Sequence, residues 1–395
     1  MTASALDFNI SSDLTRDIRQ WRSRALMVGG VGAILLLVGL FVNSEQFFRS
    51  YLWAYTFCVG VASGSMAWLM LQYLTGGAWG VVIRRPAEAA ARTLPLLAVL
   101  FVPVLLGIPK LYEWSHPGVH LHPNKAKYLN TPFFVGRTVL YFGGWMLLAW
   151  LLNKWSALED REGGVVAHGK LAKISAPGLI FWSFTITFMA IDWLLSLNPH
   201  FFSTIFGLLV LAGQGLSSMA FMIALMVALA ARGPMNAVLT HRHLHDLGKF
   251  LLALVMVWAY FSFSQFLIIW SGNLPEEIPW YLTRLNGGWQ YMAVLLVIGH
   301  FALPFALLLS RDIKRNFRLL RGIAIFILCM RLVDLYWVVA PDFRKGNFGV
   351  SWMDFVAPVG LFGIWLAYFF LQLEKRPLMP INDPHIVEAL EHGRE

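Results

Sequence analysis

Charge is scarce in this sequence. Only 13% of its 395 residues are Asp, Glu, Lys or Arg, against 58% hydrophobic, and soluble domains carry about twice that charged share. Mean hydropathy is +0.62. These values point to a polytopic membrane protein rather than a soluble domain. Cysteine is nearly absent: Cys58 and Cys329 are the whole complement. Two isolated cysteines within apolar runs make neither a disulfide framework nor a metal or iron–sulfur site, so both read as small packing residues. Strand-length alternating segments are missing, which argues against an outer-membrane barrel. There is no P-loop and no hydrolase constellation. The run GGVG at Gly29–Gly32 lies inside an apolar stretch and reads as helix packing rather than phosphate binding.

What is present is a series of long apolar runs. Ten are long enough to cross a bilayer as helices, near 25–42, 50–74, 92–112, 133–153, 176–197, 203–231, 248–271, 288–310, 319–340 and 353–373. The fold class is an all-α polytopic membrane protein with ten transmembrane helices. Arg16, Arg19, Arg22 and Arg24 precede the first span, and no A-x-A-like site ends it, so it reads as an anchor rather than a cleaved signal. The net charge of +9 reports topology rather than nucleic acid. With the N-terminus inside, 22 of the 31 Lys and Arg fall in inner segments and eight in outer ones, and Arg331 sits within a span. That bias puts both termini in the cytoplasm. The longest loops are expected at 113–132 outside and 154–175 inside. The polar tail from Glu374 reads as a surface arm.

The chain repeats itself. GVASGSMA (Gly60–Ala67) and GQGLSSMA (Gly213–Ala220) share the pattern G-x4-SMA, and Ser50 and Ser203 open their spans at the same offset. Asp192 and Asp334 each lie seven residues before a proline, Pro199 and Pro341. The matching spans are four helices apart, so the units share one orientation, a parallel repeat. The expected architecture is two four-helix bundles. Residues 1–49 form a tail and flanking helix, 50–200 the first bundle, 201–345 the second, and 346–395 a flanking helix and tail.

Few residues could carry chemistry, because a charge at mid-membrane costs roughly 2.5–3.5 kcal/mol. Arg331 and Asp334 are i and i+3, on one helix face, and can partly neutralise each other. They fit a proton relay or a structural ion pair equally. Asp192 has no cationic neighbour in sequence and reads first as an unpaired relay carboxylate, with a structural ion pair as the alternative. His300 is the only histidine deep in a span and can shuttle protons or pack against its neighbours. One such histidine is too few for haem with two axial histidines from this chain. Gln265 extends the polar path or bonds across helices. His241, His243 and His245 alternate in an inner loop without a full ligand set, and Asp246 reads as the N-cap of span seven. No catalytic group and no metal site is expected.

Three blocks carry a resemblance: YLNTPFFVGRTVLYFGGW (Tyr128–Trp145), HLHDLGK (His243–Lys249) and FSQFLIIWSGNLPEE (Phe263–Glu277). Over nearly its whole length the chain resembles the F subunit of alternative complex III, of the NrfD/polysulfide-reductase-like membrane proteins. The resemblance implies ten spans in two four-helix bundles. It implies a subunit of a bacterial inner-membrane complex that oxidises quinol and reduces cytochrome c or another periplasmic acceptor. Partner subunits would carry the iron–sulfur clusters and haem c, a homologous membrane subunit would hold the quinol, and this chain would bind no redox cofactor. Its buried polar residues, here Asp192, His300, Arg331 and Asp334 with Gln265, would conduct protons. Quinone sites of such subunits commonly pair an embedded histidine with an aspartate of the first bundle. Spans two to five hold Asp192 but no histidine, which counts against direct quinol oxidation. A quinone-binding anchor and an autonomous transporter remain alternatives, as does a purely structural scaffold.

Overall fold

The computed structural model describes residues 11–119, 121–162, 164–232, 235–344, 347–380 and 382–392. Among these residues there is no strand. Ten helices are long and apolar enough to cross a membrane. They are α1 (Ser12–Val42), α2 (Ser44–Thr75), α3 (Ala78–Leu106), α4 (Thr131–Arg161), α5 (Val166–Leu197), α6 (Phe206–Leu229), α7 (His241–Gly272), α8 (Trp289–Leu309), α9 (Phe317–Arg344) and α10 (Trp352–Leu373). The near end of the bundle is the end where α1 begins, and the far end is the one where it finishes.

Side-chain caps set several helix starts. Ser11 accepts from the Leu14 N–H at 3.2 Å to open α1, and Asn43 accepts from Gln46 at 3.0 Å to open α2. Ser351 and Asp354 cap α10 reciprocally. The start of α7 differs from expectation. Thr240 is its N-cap residue, with its N–H donating to His243 Nδ1 at 3.3 Å, and Asp246 lies in the second turn. The helix therefore gathers all three histidines into its first turns. Helix α3 is broken into Ala78–Ala91, Leu94–Leu100 and Val102–Leu106. Pro95 and Pro103 stand in the first turns of the later pieces, where the missing N–H costs least.

Helices α2 and α6 form the centre. Helix α2 packs against α3, α5, α6, α9 and α10, and α6 against α2, α5, α7 and α9. Outer helices expose apolar side chains, among them Ile34 and Phe41 of α1, Phe263 of α7 and Val297 of α8. Such surfaces suit hydrocarbon rather than water. Helices α1 and α10 lie backbone to backbone. A Cβ on Gly32 would collide with the backbone of Gly360, and one on Gly29 would meet the Gly363–Ile364 peptide. The glycine run is a packing device, as its position in an apolar stretch suggested.

Several boundaries depart from the sequence reading. Helix α3 begins at Ala78 rather than 92, because the charges on its first turns are paired and buried rather than solvated. The inner loop expected at 154–175 is helical nearly throughout, since α4 runs to Arg161 and α5 starts at Val166. The tail is docked rather than splayed: Leu378, Met379, Ile386 and Ala389 are buried. Of the cysteines, Cys58 is buried as expected and Cys329 is exposed on α9.

Gly32→Val should lower stability by about 1–3 kcal/mol, the usual cost of overpacking, whereas Gly30→Ala, with nothing within 4 Å of the new methyl, should leave it unchanged. Thermal unfolding in detergent, followed by tryptophan fluorescence, separates the two.

Candidate functional site

Polar side chains enter the bundle at three depths. The middle one contains Arg331 and Asp334 of α9, both buried and joined as an ion pair. Asp334 also accepts from Trp258 Nε1 of α7 at 3.1 Å. The Trp258 ring meets the His300 ring edge-on, with centroids 4.2 Å apart. His300 is fully buried, and neither ring nitrogen has a hydrogen-bond partner among the described residues. It lies in a π-helical stretch, Leu296–Ala302 of α8. Such wide turns recur at functional sites. The structure thus brings three of the predicted residues, His300, Arg331 and Asp334, into one cluster, with Trp258 as the link that sequence reading missed.

The matching G-x4-SMA segments meet beside this cluster. Gly64 of α2 lies so close to Gln214 and Ser218 of α6 that a Cβ would clash with both. Ser63 donates to Gln214 Oε1 at 2.6 Å, and Trp68 Nε1 to the Gly215 carbonyl at 3.0 Å. Gly213 faces the Arg331 guanidinium closely enough that any side chain there would displace it. Gln214 Nε2 and Arg331 Nε, like the His300 nitrogens, have no partner among the described residues. Unpaired polar atoms in an apolar interior are costly, and their concentration here suits a site that holds or passes protons through water.

Asp192 lies toward the far end and is not unpaired. Arg137 of α4 grips it with Nε at 2.8 Å and Nη2 at 2.9 Å, and the Tyr141 hydroxyl donates to it at 2.6 Å. The guanidinium stacks on Tyr128 at 3.8 Å from the ring centroid. Sequence proximity could not show this, because Arg137 stands 55 residues away. The carboxylate expected to be unpaired is therefore one side of a bidentate ion pair with a tyrosine cap. Gln265 sits apart from the middle cluster: Ser203 donates to its Oε1 at 3.2 Å, and its Nε2 reaches the Tyr281 hydroxyl at 3.5 Å. It bonds across elements, the second of the two roles its sequence position allowed.

The near end holds a network that sequence reading did not single out. Glu88 of α3 accepts from Arg85 at 2.7 Å, Ser156 at 2.6 Å and Arg376 of the tail at 3.2 Å. Arg84 bonds Glu159 of α4 and Asp383 of the tail, and Arg85 bonds Asp160. His168 of α5 meets Glu159 at 3.1 Å. The legible signal was the spacing Arg84-Arg85-x-x-Glu88, which places both arginines within reach of the glutamate on one helix. Ligand atoms of Glu159, His168 and Asp383 lie within 4.8 Å of one another. Arg84 already bonds both carboxylates of that set, so it reads as an ion network that clamps the tail rather than as a cation site.

In chemical terms the interior offers carboxylates, the buried imidazole of His300, hydroxyls and amides. They can hold and transfer protons. Removing one member of a buried pair leaves a bare charge, so Arg137→Ala should cost about 3–5 kcal/mol, and the double variant Arg137→Met/Asp192→Leu should cost less. Thermal unfolding of the two proteins tests this; equal losses would contradict it.

No protein-family model matches the chain, and none of the curated proteins compared with it does either.

Proposed function

We propose that this chain is a cofactor-free membrane subunit of a quinol-oxidising redox complex, of the alternative complex III type within the NrfD/polysulfide-reductase-like proteins, and that it conducts protons. The observation that carries the reading is His300: an imidazole deep in the bundle, both nitrogens unpartnered among the described residues, one indole away from the Arg331–Asp334 pair. An ionisable group at that depth is functional by default. An imidazole can accept a proton on one nitrogen while releasing one from the other, which passes a proton and leaves the ring in its other tautomer, to be reset before the next passage. Asp334, oriented by Arg331 and Trp258, is the acceptor nearest to it in this chain of contacts. Arg331 keeps that carboxylate from being a lone buried charge.

The partners in this reading are a homologous membrane subunit that holds the quinol and subunits that carry iron–sulfur clusters and haem c. The setting is the bacterial inner membrane, with both termini in the cytoplasm. The close packing of the two G-x4-SMA segments, Gly64 on Gln214 and Ser218, supports a duplicated architecture in which two parallel four-helix bundles meet along α2 and α6. The enclosure of Asp192 by Arg137 and Tyr141 argues against that carboxylate holding a quinone here.

The test is a tagged assembly reconstituted into liposomes, supplied with quinol, with protons released per electron as the readout. His300→Gln and Asp334→Asn should each lower that ratio while the complex still assembles and turns over. A ratio identical to wild type in both variants would reduce the chain to a scaffold. A colourless chain that purifies alone would remove it from such a complex altogether.

A further inference from the structure

We propose that the near-end segment where α8 passes into α9 binds the headgroup phosphate of an anionic phospholipid through Lys314, Arg315, Arg318 and Arg321. The site stands whether or not the chain conducts protons.

Five of the eleven residues from Arg311 to Arg321 are cations, and Asp312 is the one acid among them. None of the five has an ion-pair partner among the described residues, nor has Asp312. Other cations at this end are answered: Arg16 by Asp13, Arg19 and Arg22 by Glu374, Arg232 by Asp17 and Lys249 by Asp246. The positive charge of the turn is left uncompensated.

The turn is built rather than loose. Arg311–Arg315 form a short helix, opened by Ser310, whose side chain accepts from the Ile313 N–H at 3.4 Å. The Arg315 carbonyl and His241 Nδ1 of α7 lie 2.7 Å apart. Lys314 is only 7% exposed. Its stem lies on Gly248 of α7, where a Cβ would come within 2.9 Å of Lys314 Cγ. Steering cations to one side of a membrane needs none of this, since a solvated loop does it equally well. Burial and the nearby Lys249 lower the Lys314 pKa, and no carboxylate raises it. Arg315 Nε is buried and unpartnered among the described residues. The borders of the turn say what the occupant is. Leu309, Leu319 and Ile325 are exposed beside it, and the exposed Arg318 and Arg321 share the first turns of α9 with Leu319. Such a border marks the level where hydrocarbon gives way to water, which is where a phosphodiester sits with its chains along the helix. A soluble acidic partner would leave those leucines in water. Lys314 supplies a point charge and the arginines a planar fork, both suited to phosphate oxygens.

The protein, purified in detergent with its partners and stripped of lipid, is titrated with dioleoylphosphatidylglycerol, dioleoylphosphatidylcholine or inorganic phosphate. Acetylation of Lys314 by N-hydroxysuccinimidyl acetate is read by peptide mass spectrometry, with Lys127 at the far end as the reference. Phosphatidylglycerol should protect Lys314 saturably, with a preference over phosphatidylcholine of about 25-fold, the scale of two cations acting on one headgroup. Inorganic phosphate over the same concentrations should give no protection. Arg318→Gln and Arg321→Gln should each lower the preference about fivefold. Arg24→Gln, which removes an exposed cation of α1 at the same end, should leave it unchanged. Equal protection by the two lipids, protection by phosphate that matches phosphatidylglycerol, or the same loss in the Arg24 variant would overturn the proposal. So would a Lys314 that is unreactive in the lipid-stripped protein, because a partner subunit would then cover the turn.

Discussion

Inside a bilayer an ionised side chain must find its counter-charge within the protein, and the arrangement of this bundle follows from that need. Asp192 is answered by Arg137 across α4 and α5, and Asp334 by Arg331 along α9. Each pairing fixes something larger than itself. The first ties two neighbouring helices at their far ends. The second lets α9 carry two charges into the centre at all, with the guanidinium laid against Gly213 of α6. At the near end the tail joins such a network as well, with Asp383 bonded to Arg84 and Arg376 to Glu88.

Close backbone approach is the second condition, and it depends on the absence of side chains. At the α2–α6 crossing, Gly64 brings the α6 backbone near enough for Ser63 to bond Gln214 and for Trp68 to bond the Gly215 carbonyl. Ser63 and Gln214 pair at that crossing, and beside it Arg331, laid against Gly213, Asp334, Trp258 and His300 form a row from α9 across α7 to α8. The π-helical turn at Leu296–Ala302 presents the imidazole at its end. This geometry connects the packing of small residues to the chemistry proposed for the site.

Length and hydropathy made the ten spans legible, because a lipid-facing helix has to be continuous and apolar wherever it crosses. The glycine pattern of α1 was legible for a related reason: three glycines within one turn of an apolar helix bury little area of their own and serve close packing instead. What failed was any inference that took nearness in sequence for nearness in space. Asp192 looked unpaired because its arginine belongs to the preceding span. Residues 78–91 looked like a solvated loop because Arg84, Arg85 and Glu88 suggest water, and their partners on α4 and the tail are far along the chain. The tail looked like a free arm for the same reason, although Leu378 and Met379 are buried. Nothing in the residues around His300 announces a π-helical turn. Its isolation among the spans was legible; the indole between it and Asp334 was not.

If His300 carries protons, its imidazole must change protonation or tautomer as the complex turns over. The most direct measurement is the infrared difference spectrum of the assembly with ring-labelled histidine, quinol-reduced minus oxidised. An imidazole band should appear on reduction and be missing from the His300→Gln protein. The same histidine bands in both proteins would contradict a proton-carrying role for this residue.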